Sequence, residues 1–383
     1  DAEITNRGLC EKDISVGNAL VDMYAKCGML EKARFILFDR IPIPNSITWN
    51  SLMAGYVQNG HCKEALNCFN SMQTRGSMPD AVTFTCCLRA CGALNDLEKG
   101  AEIHAQIVRN GLLGNEVSVG NALVDMYAKS GWFIKAKEVL NSLSFRDVST
   151  WNSLITSYAQ CNCAEDVLKC YKEMQLDGVN PNAITYACGL KACVSMGDID
   201  KGSDLHCETV ERGLFTEDMV IGSTLIDMYA KCGMLQKARK VLEELPSRDV
   251  VSWSALLTGY AQQGKGDEAL ECFELMQREG HSPDAVTFIC ILKACGSKRN
   301  ADRGKQIHND IVRKGLLKKN IALSNALVAM YAHYGLFSKA HEVLEEIPIR
   351  DVVTWNVLIT GYTQVGKGHE AMNCFELMQM EGI

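Results

Sequence analysis

An all-α solenoid built from helix–turn–helix hairpins is the fold this sequence predicts. Three observations carry the prediction: a long internal period, amphipathic helical faces within it, and turn residues at its junctions. Trp49, Trp151, Trp253 and Trp355 stand 102 residues apart, which accounts for four of the five tryptophans. His104, His206 and His308 keep the same interval, as do Cys91, Cys193 and Cys295, and Cys68, Cys170, Cys272 and Cys374. A period of this kind marks a repeat array, in which no single unit folds alone.

Each copy of the period divides into three hairpins. In residues 46–80, Trp49, Leu52, Met53 and Tyr56 share one face of a helix, and Ala65, Leu66, Phe69 and Met72 share one face of a second. Asn59-Gly60 supplies the turn between them, Gly76 suits a helix C-terminus, and Pro79 stops continuation into the next unit. Units of this 35-residue kind recur at 148–182 and 250–284. A 36-residue kind, with ACGALNDLEKGAEIHAQIVRNGL in its first copy, occupies 81–116, 183–218 and 285–320. A 31-residue kind, with NALVDMYAKSGWFIKAKEVL in its first copy, occupies 117–147, 219–249 and 321–351. An earlier copy at 14–45 has one extra residue near Phe38. With partial units at 1–13 and 352–383, a single array of ten full hairpins and two partial ones spans 1–383. A hairpin cannot bury both apolar faces by itself. Neighbours therefore stack into a superhelix, with a concave surface lined by the first helices.

Composition narrows the function. Apolar residues make up 47% and charged residues 22% of the 383, too hydrophobic for a disordered chain. Its apolar runs are broken every few residues by Asn, Asp, Lys or Gly, short of the roughly 20 residues a membrane helix needs. Asp1-Ala2-Glu3 carries neither a signal nor a transit segment and begins inside a repeat, as expected of a piece of a longer protein. The 18 cysteines recur with the period as small packing residues do, and no C-x-x-C pair is present, so neither metal nor cofactor is expected. A formal charge of -7 disfavours a uniformly basic surface, and phosphate binding would need its positive charge gathered on one face.

The phrases NALVDMYAKCG, W-N-S-L-I and K-A-C-x-x-x-G-D with Q-I-H resemble the pentatricopeptide-repeat family, and the alternation of 35, 36 and 31 residues resembles its PLS subclass of plant organelles. The resemblance covers essentially the whole chain. It implies a right-handed superhelical solenoid in which each unit meets one nucleotide of single-stranded RNA. Two side chains choose the base, one in the first turn of the first helix and one closing the repeat. An unstacked RNA base offers its Watson–Crick edge to such polar side chains, while apolar ones flank its faces.

Carried onto this sequence, the 35-residue units offer Asn50 with Asp80, Asn152 with Asn182, and Ser254 with Asp284, while Asn356 lacks a partner within the chain. The shorter units offer Asn18 with Asn45, Asn121 with Asp147, Ser223 with Asp249, and Asn325 with Asp351. By the family's code Asn with Asp favours uracil, Asn with Asn favours pyrimidines and chiefly cytosine, and Ser with Asp favours guanine. The 36-residue units offer Thr85 with Glu116, Ala187 with Asp218, and Ile289 with Asn320, which fit the code poorly and are read as unspecified. The implied target is YUNUCNGGNU followed by a pyrimidine. Lys26, Lys129 and Lys231 fall near the ends of equivalent first helices, where phosphate contact and capping of the helix dipole are both open readings, and His333 takes that place in the fourth copy.

No catalysis is expected of these residues. A C-terminal cytidine deaminase, common in the subclass, needs H-x-E followed by P-C-x-x-C. His206-Cys207-Glu208 matches the first element alone and belongs to a histidine that recurs with the period. The resemblance thus implies the recognition tract of a mitochondrial or chloroplast RNA-processing factor, most specifically in C-to-U editing, with editing accessory proteins or a deaminase as partners. The alternative is a protein-interaction or structural solenoid in an organellar ribonucleoprotein.

Overall fold

A computed structural model describes residues 13–114, 116–298, 301–348 and 350–383, with backbone only at 297 and 298. The partial unit at 1–13 lies outside this range apart from Asp13. Every regular element among the described residues is helical. Contacts divide the chain into two compact units, Asp1–Ala192 and Cys193–Ile383, the division falling within the helix Ala183–Met196.

In the first unit the hairpins are Ile14–Lys26 with Leu30–Arg40, Ser46–Gln58 with Cys62–Thr74, Ala81–Leu94 with Leu97–Arg109, Val117–Lys129 with Phe133–Ser142, and Val148–Gln160 with Ala164–Leu176. In the second they are Met219–Lys231 with Leu235–Glu244, Val250–Gln262 with Gly266–Arg278, Ala285–Lys298 with Ala301–Arg313, Ile321–His333 with Phe337–Glu346, and Val352–Gln364 with Gly368–Met380, preceded by Ile199–Glu211. Wherever the turn inside a hairpin is described, it has one design. Gly60 takes φ 78°, and the His61 N–H returns to the Tyr56 carbonyl at 2.8 Å, closing the first helix. At the matching place Asn162 adopts φ 58°, which asparagine tolerates better than other side chains.

The extra residue near Phe38 has a structural answer. The second helix of that unit turns from α to π over Ile36–Arg40, and the Ile41 N–H bonds the Ile36 carbonyl five residues back at 3.1 Å. A π turn absorbs one residue without disturbing either flank. It also carries Phe38 against Trp49, ring centroids 5.5 Å apart and edge to face.

Within each unit the first helices of successive hairpins lie against one another and bury the tryptophans: Trp49 is 0% and Trp253 3% exposed. The approach is close enough that a Cβ on Gly55 would stand 2.6 Å from Ala25 Cβ, and one on Gly259 2.6 Å from Ala230 Cβ. Between second helices, arginine ties the shorter units to the longer ones. Arg248 donates to the Leu242 carbonyl at 2.9 Å and pairs with Glu279; Arg350 does the same with the Leu344 carbonyl at 3.1 Å and Glu381. The ten-residue second helices end a turn early, and the guanidinium satisfies a carbonyl left free there. In the first copy Pro44 replaces this arginine, and Arg75 lies 4.8 Å over the Phe38 ring instead.

Candidate functional site

The residue closing each repeat is also the N-cap of the next first helix. Asp80 has an extended backbone, φ -111° and ψ -176°, and its Oδ1 accepts the Thr83 N–H at 2.9 Å. Asn45, Asp147, Asn182, Asp249, Asp284 and Asp351 accept from the N–H three residues on in the same way. Thus the base-selecting candidates at repeat ends also hold the fold, which their reading as ligand-side groups alone did not include.

These caps connect to the first-turn candidates through a residue the sequence reading passed over. The Thr83 hydroxyl lies 2.7 Å from Asn50 Oδ1 and 3.0 Å from Asp80 Oδ1, while Asn50 Nδ2 donates to the two Asp80 oxygens at 2.9 and 3.0 Å. A knot of asparagine, threonine and aspartate thereby spans the junction between repeats. Asn121, Thr150 and Asp147 repeat it, with Asn121 Nδ2 3.2 Å from Asp147. Asn325, Thr354 and Asp351 do so as well, the Asn325 amide standing 3.1 Å from the carboxylate. In the Asn152, Thr185 and Asn182 knot the two amides are 2.9 Å apart, and Thr185 bonds Asn152 Oδ1 at 2.7 Å. At the first junction Asn18 and Asn45 both meet the Thr48 hydroxyl. Ser254 meets Thr287 at 2.8 Å, and Thr287 reaches Asp284 at 2.7 Å.

All of these threonines are 0% exposed. They occupy the third position of their helices, so each reads in sequence as D-x-x-T or N-x-x-T. That capping-box spacing was there to find.

Ser223 and Asp249 are not joined. Ser223 donates to the Val220 carbonyl of its own helix at 3.1 Å, and Ser252 bonds Asp249 at 2.6 Å. Serine is too short for the span that asparagine covers. The 36-residue units fail differently: the third position after them is Val119, Ile221 or Leu323, each 0% exposed, so no hydroxyl is available to tie a knot. Thr85 spends its own hydroxyl on the Ala81 carbonyl at 2.8 Å.

Where the cap is an aspartate, the charge at the knot is negative. Burial would raise the Asp80 carboxyl, but the Thr83 N–H and the Asn50 amide outweigh it and hold it below the ordinary carboxylate value. Asp147 is lowered against burial in the same way, and Asp351 is lowered first by the Thr354 N–H. Lys26, Lys129 and Lys231 end their helices paired with Asp22, Asp125 and Asp227 at 2.7, 2.7 and 2.8 Å. Where His333 replaces the lysine, Ala329 replaces the aspartate, so the pair is lost as a unit. Beside the first-turn candidates, on the same helix face, Ile47, Val82, Ile184, Val251, Val286 and Val353 are 51 to 61% exposed.

The remaining periodic residues pack. His104, His206 and His308 bond the hydroxyls of Tyr127, Tyr229 and Tyr331 at 3.1, 3.0 and 2.8 Å, and burial lowers all three imidazoles. His206 in the H-x-E match is one of this series. Burial pushes the thiols of Cys68, Cys170 and Cys272 up to about 12, as befits core residues. Among the described residues no group of three potential metal ligands gathers, and no helix is long and apolar enough to cross a membrane.

Hairpins stacked through their first helices and tied at the junctions define an all-α helical-repeat solenoid. The PPR repeat family profile matches residues 44–93, 146–195 and 248–297, and a second PPR repeat profile matches 18–39, 82–112, 121–148, 223–250, 323–352 and 353–383. The chain belongs to the pentatricopeptide-repeat family. A pentatricopeptide repeat-containing protein of Arabidopsis thaliana named as mitochondrial is 35% identical over 383 residues, covering 100% of this chain and 37% of the relative. One named as chloroplastic, also from Arabidopsis thaliana, is 33% identical, covering 96% of this chain and 42% of the relative. The chain thus spans less than half the length of these two relatives. The crystal structure of PPR10 in complex with an 18-nucleotide psaJ RNA element shares the fold at a TM-score of 0.78 and 20% identity, over 96% of this chain and 55% of that one.

Proposed function

We propose that this chain is a sequence-specific scaffold for single-stranded RNA, one repeat to a nucleotide, of the PLS type, serving as the recognition tract of a mitochondrial or chloroplast RNA-processing factor and most specifically of C-to-U editing. The knot at each junction is the observation that carries the reading. It consumes one side of the asparagine and of the capping residue and leaves an N–H of the amide and a carboxylate lone pair beside each other. Such a donor and acceptor match the carbonyl and N3–H of uracil. Replacing the carboxylate by Asn182, whose Oδ1 is already held by the Thr185 N–H at 3.2 Å, turns an amide donor outward instead and suits the N3 acceptor of cytosine. The exposed valines and isoleucines stand one turn away, where a base face would cover them. Relatives named as mitochondrial and chloroplastic, and a neighbouring fold solved with RNA, support the same reading. Catalysis is assigned to a domain or partner outside these residues, an editing accessory protein or a deaminase.

Selection from a random RNA pool should return YUNUCNGGNU, with the three N positions unenriched. A pool retained without any motif, or not retained, would remove the sequence-specific reading. The second reading, a protein-interaction solenoid of a ribonucleoprotein, draws on the charge of -7 and on lysines already paired with aspartate. Salt dependence separates the two. If Lys26, Lys129 and Lys231 each meet a phosphate, replacing all three by alanine lowers the slope of log affinity against log salt by about 2, at roughly 0.7 for each contact. An unchanged slope would confine the lysines to ending their helices.

A further inference from the structure

We propose that the buried third-position threonines, Thr83 foremost, are specificity-determining positioning residues that choose which end of the neighbouring asparagine amide faces the RNA. The inference rests on the RNA-binding reading above and adds a residue class to it. An asparagine amide presents a donor or an acceptor depending on a half-turn about its last bond. Beside Asp80, the carboxylate already favours the amino end of Asn50. The Thr83 hydroxyl adds the complementary constraint, since its single proton is best used on Asn50 Oδ1, 2.7 Å away, the shorter of its two acceptor contacts. With both constraints in place the Asn50 oxygen is directed into the core and the Nδ2 toward Asp80 and solvent. Asn50 is 8% exposed, so an oxygen deprived of Thr83 would have little water to replace it. The amide would leave this orientation, and the donor it offers at the junction would no longer be fixed.

Thr83 meets no solvent, being 0% exposed, so it acts on the base only through its partners, Asn50 and Asp80. The chain supplies its own comparison. Where valine, isoleucine or leucine takes the third position, at Val119, Ile221 and Leu323, the preceding unit carries Thr85, Ala187 or Ile289 in place of the asparagine. Where Ser252 takes it, Ser223 lies unbonded to Asp249. Every asparagine joined across a junction stands on a threonine hydroxyl, whereas the hydroxyls of Thr287 and Ser252 follow units that carry serine, Ser254 and Ser223, in place of the asparagine.

The test uses the whole 383-residue chain and YUNUCNGGNU RNAs that differ only at the second nucleotide, uracil against cytosine. Thr83→Val keeps the shape and removes the hydroxyl. Preference for uracil at that nucleotide should fall about 2- to 12-fold, the equivalent of one hydrogen bond, while discrimination at the eighth nucleotide stays as it was. Thr83→Ser, which keeps the hydroxyl, should restore most of the preference even if it loses some stability. Thr354→Val should act alike at the tenth nucleotide, and serves should the first variant fold poorly. Equal loss of affinity for both RNAs with the preference intact would make the threonine a cap alone and overturn the proposal. A parent chain that binds RNA without preferring uracil would overturn the base-reading function itself, and the inference with it.

Discussion

Asp284→Asn should move the preference of one nucleotide, the eighth of the target, from guanine to adenine and leave its neighbours unchanged. Asp284 is exposed and accepts the Thr287 N–H at 2.8 Å and its hydroxyl at 2.7 Å. Because the Thr287 proton is spent there, Ser254 at 2.8 Å must donate to Thr287 and keep its lone pairs outward. The junction then offers only acceptors, which suits the N1–H and amino group of guanine. In the variant, Oδ1 still caps the helix through the Thr287 N–H, so the amide turns its donor outward, toward the N1 acceptor of adenine. Asparagine and aspartate cap helices about equally well, and the fold should be retained. By analogy with base discrimination in DNA grooves the exchange is worth about 1–3 kcal/mol, roughly 5- to 150-fold in relative affinity. Competition between RNAs with guanine or adenine at the eighth position measures it. Equal weakening for both would withdraw the base-selecting role of Asp284 and leave it as a cap.

The largest stability change is expected at the tryptophans, with a contrast between copies. Trp253→Ala removes a side chain that is 3% exposed between stacked first helices and should cost about 3–5 kcal/mol. Because repeats depend mainly on their neighbours, the loss should appear first in hydrogen exchange of Val250–Gln262 and the helices stacked on it. Trp253→Phe should be mild, under about 1.5 kcal/mol, since the indole Nε1 is buried with no hydrogen-bond partner. Trp355 differs, because its Nε1 donates to Glu381 at 3.1 Å. Trp355→Phe should therefore cost about 1.5–3 kcal/mol, the worth of a bond to a charged group. Urea unfolding of the three variants decides the matter. A phenylalanine at 253 as costly as alanine would mean that the indole N–H carries the stability.

Much of this protein was legible because repetition multiplies weak signals. A single W-x-x-L-M face is an ordinary amphipathic helix, but the same face at 49, 151, 253 and 355 leaves one architecture. The extra residue near Phe38 was visible as a break in period; its absorption by a π turn was not, because an insertion in a helix can be met by a bulge, a kink or a loop.

The sequence by itself determined the helices and their turns, since periodicity, glycine and proline act locally along the chain, and its family resemblance supplied the candidate pairs. Only the tertiary structure decided what joins each pair. Asn50 and Asp80 are thirty residues apart and meet only because the next helix starts against the first turn of the last one. That junction made Thr83 the link and separated Ser223 from Asp249, whereas the Asp80 cap and the aspartates paired with Lys26, Lys129 and Lys231 lie only three and four residues away along the chain. Hydrogen bonds of this kind depend on distances of a few tenths of an ångström between repeats, and stacking sets those distances.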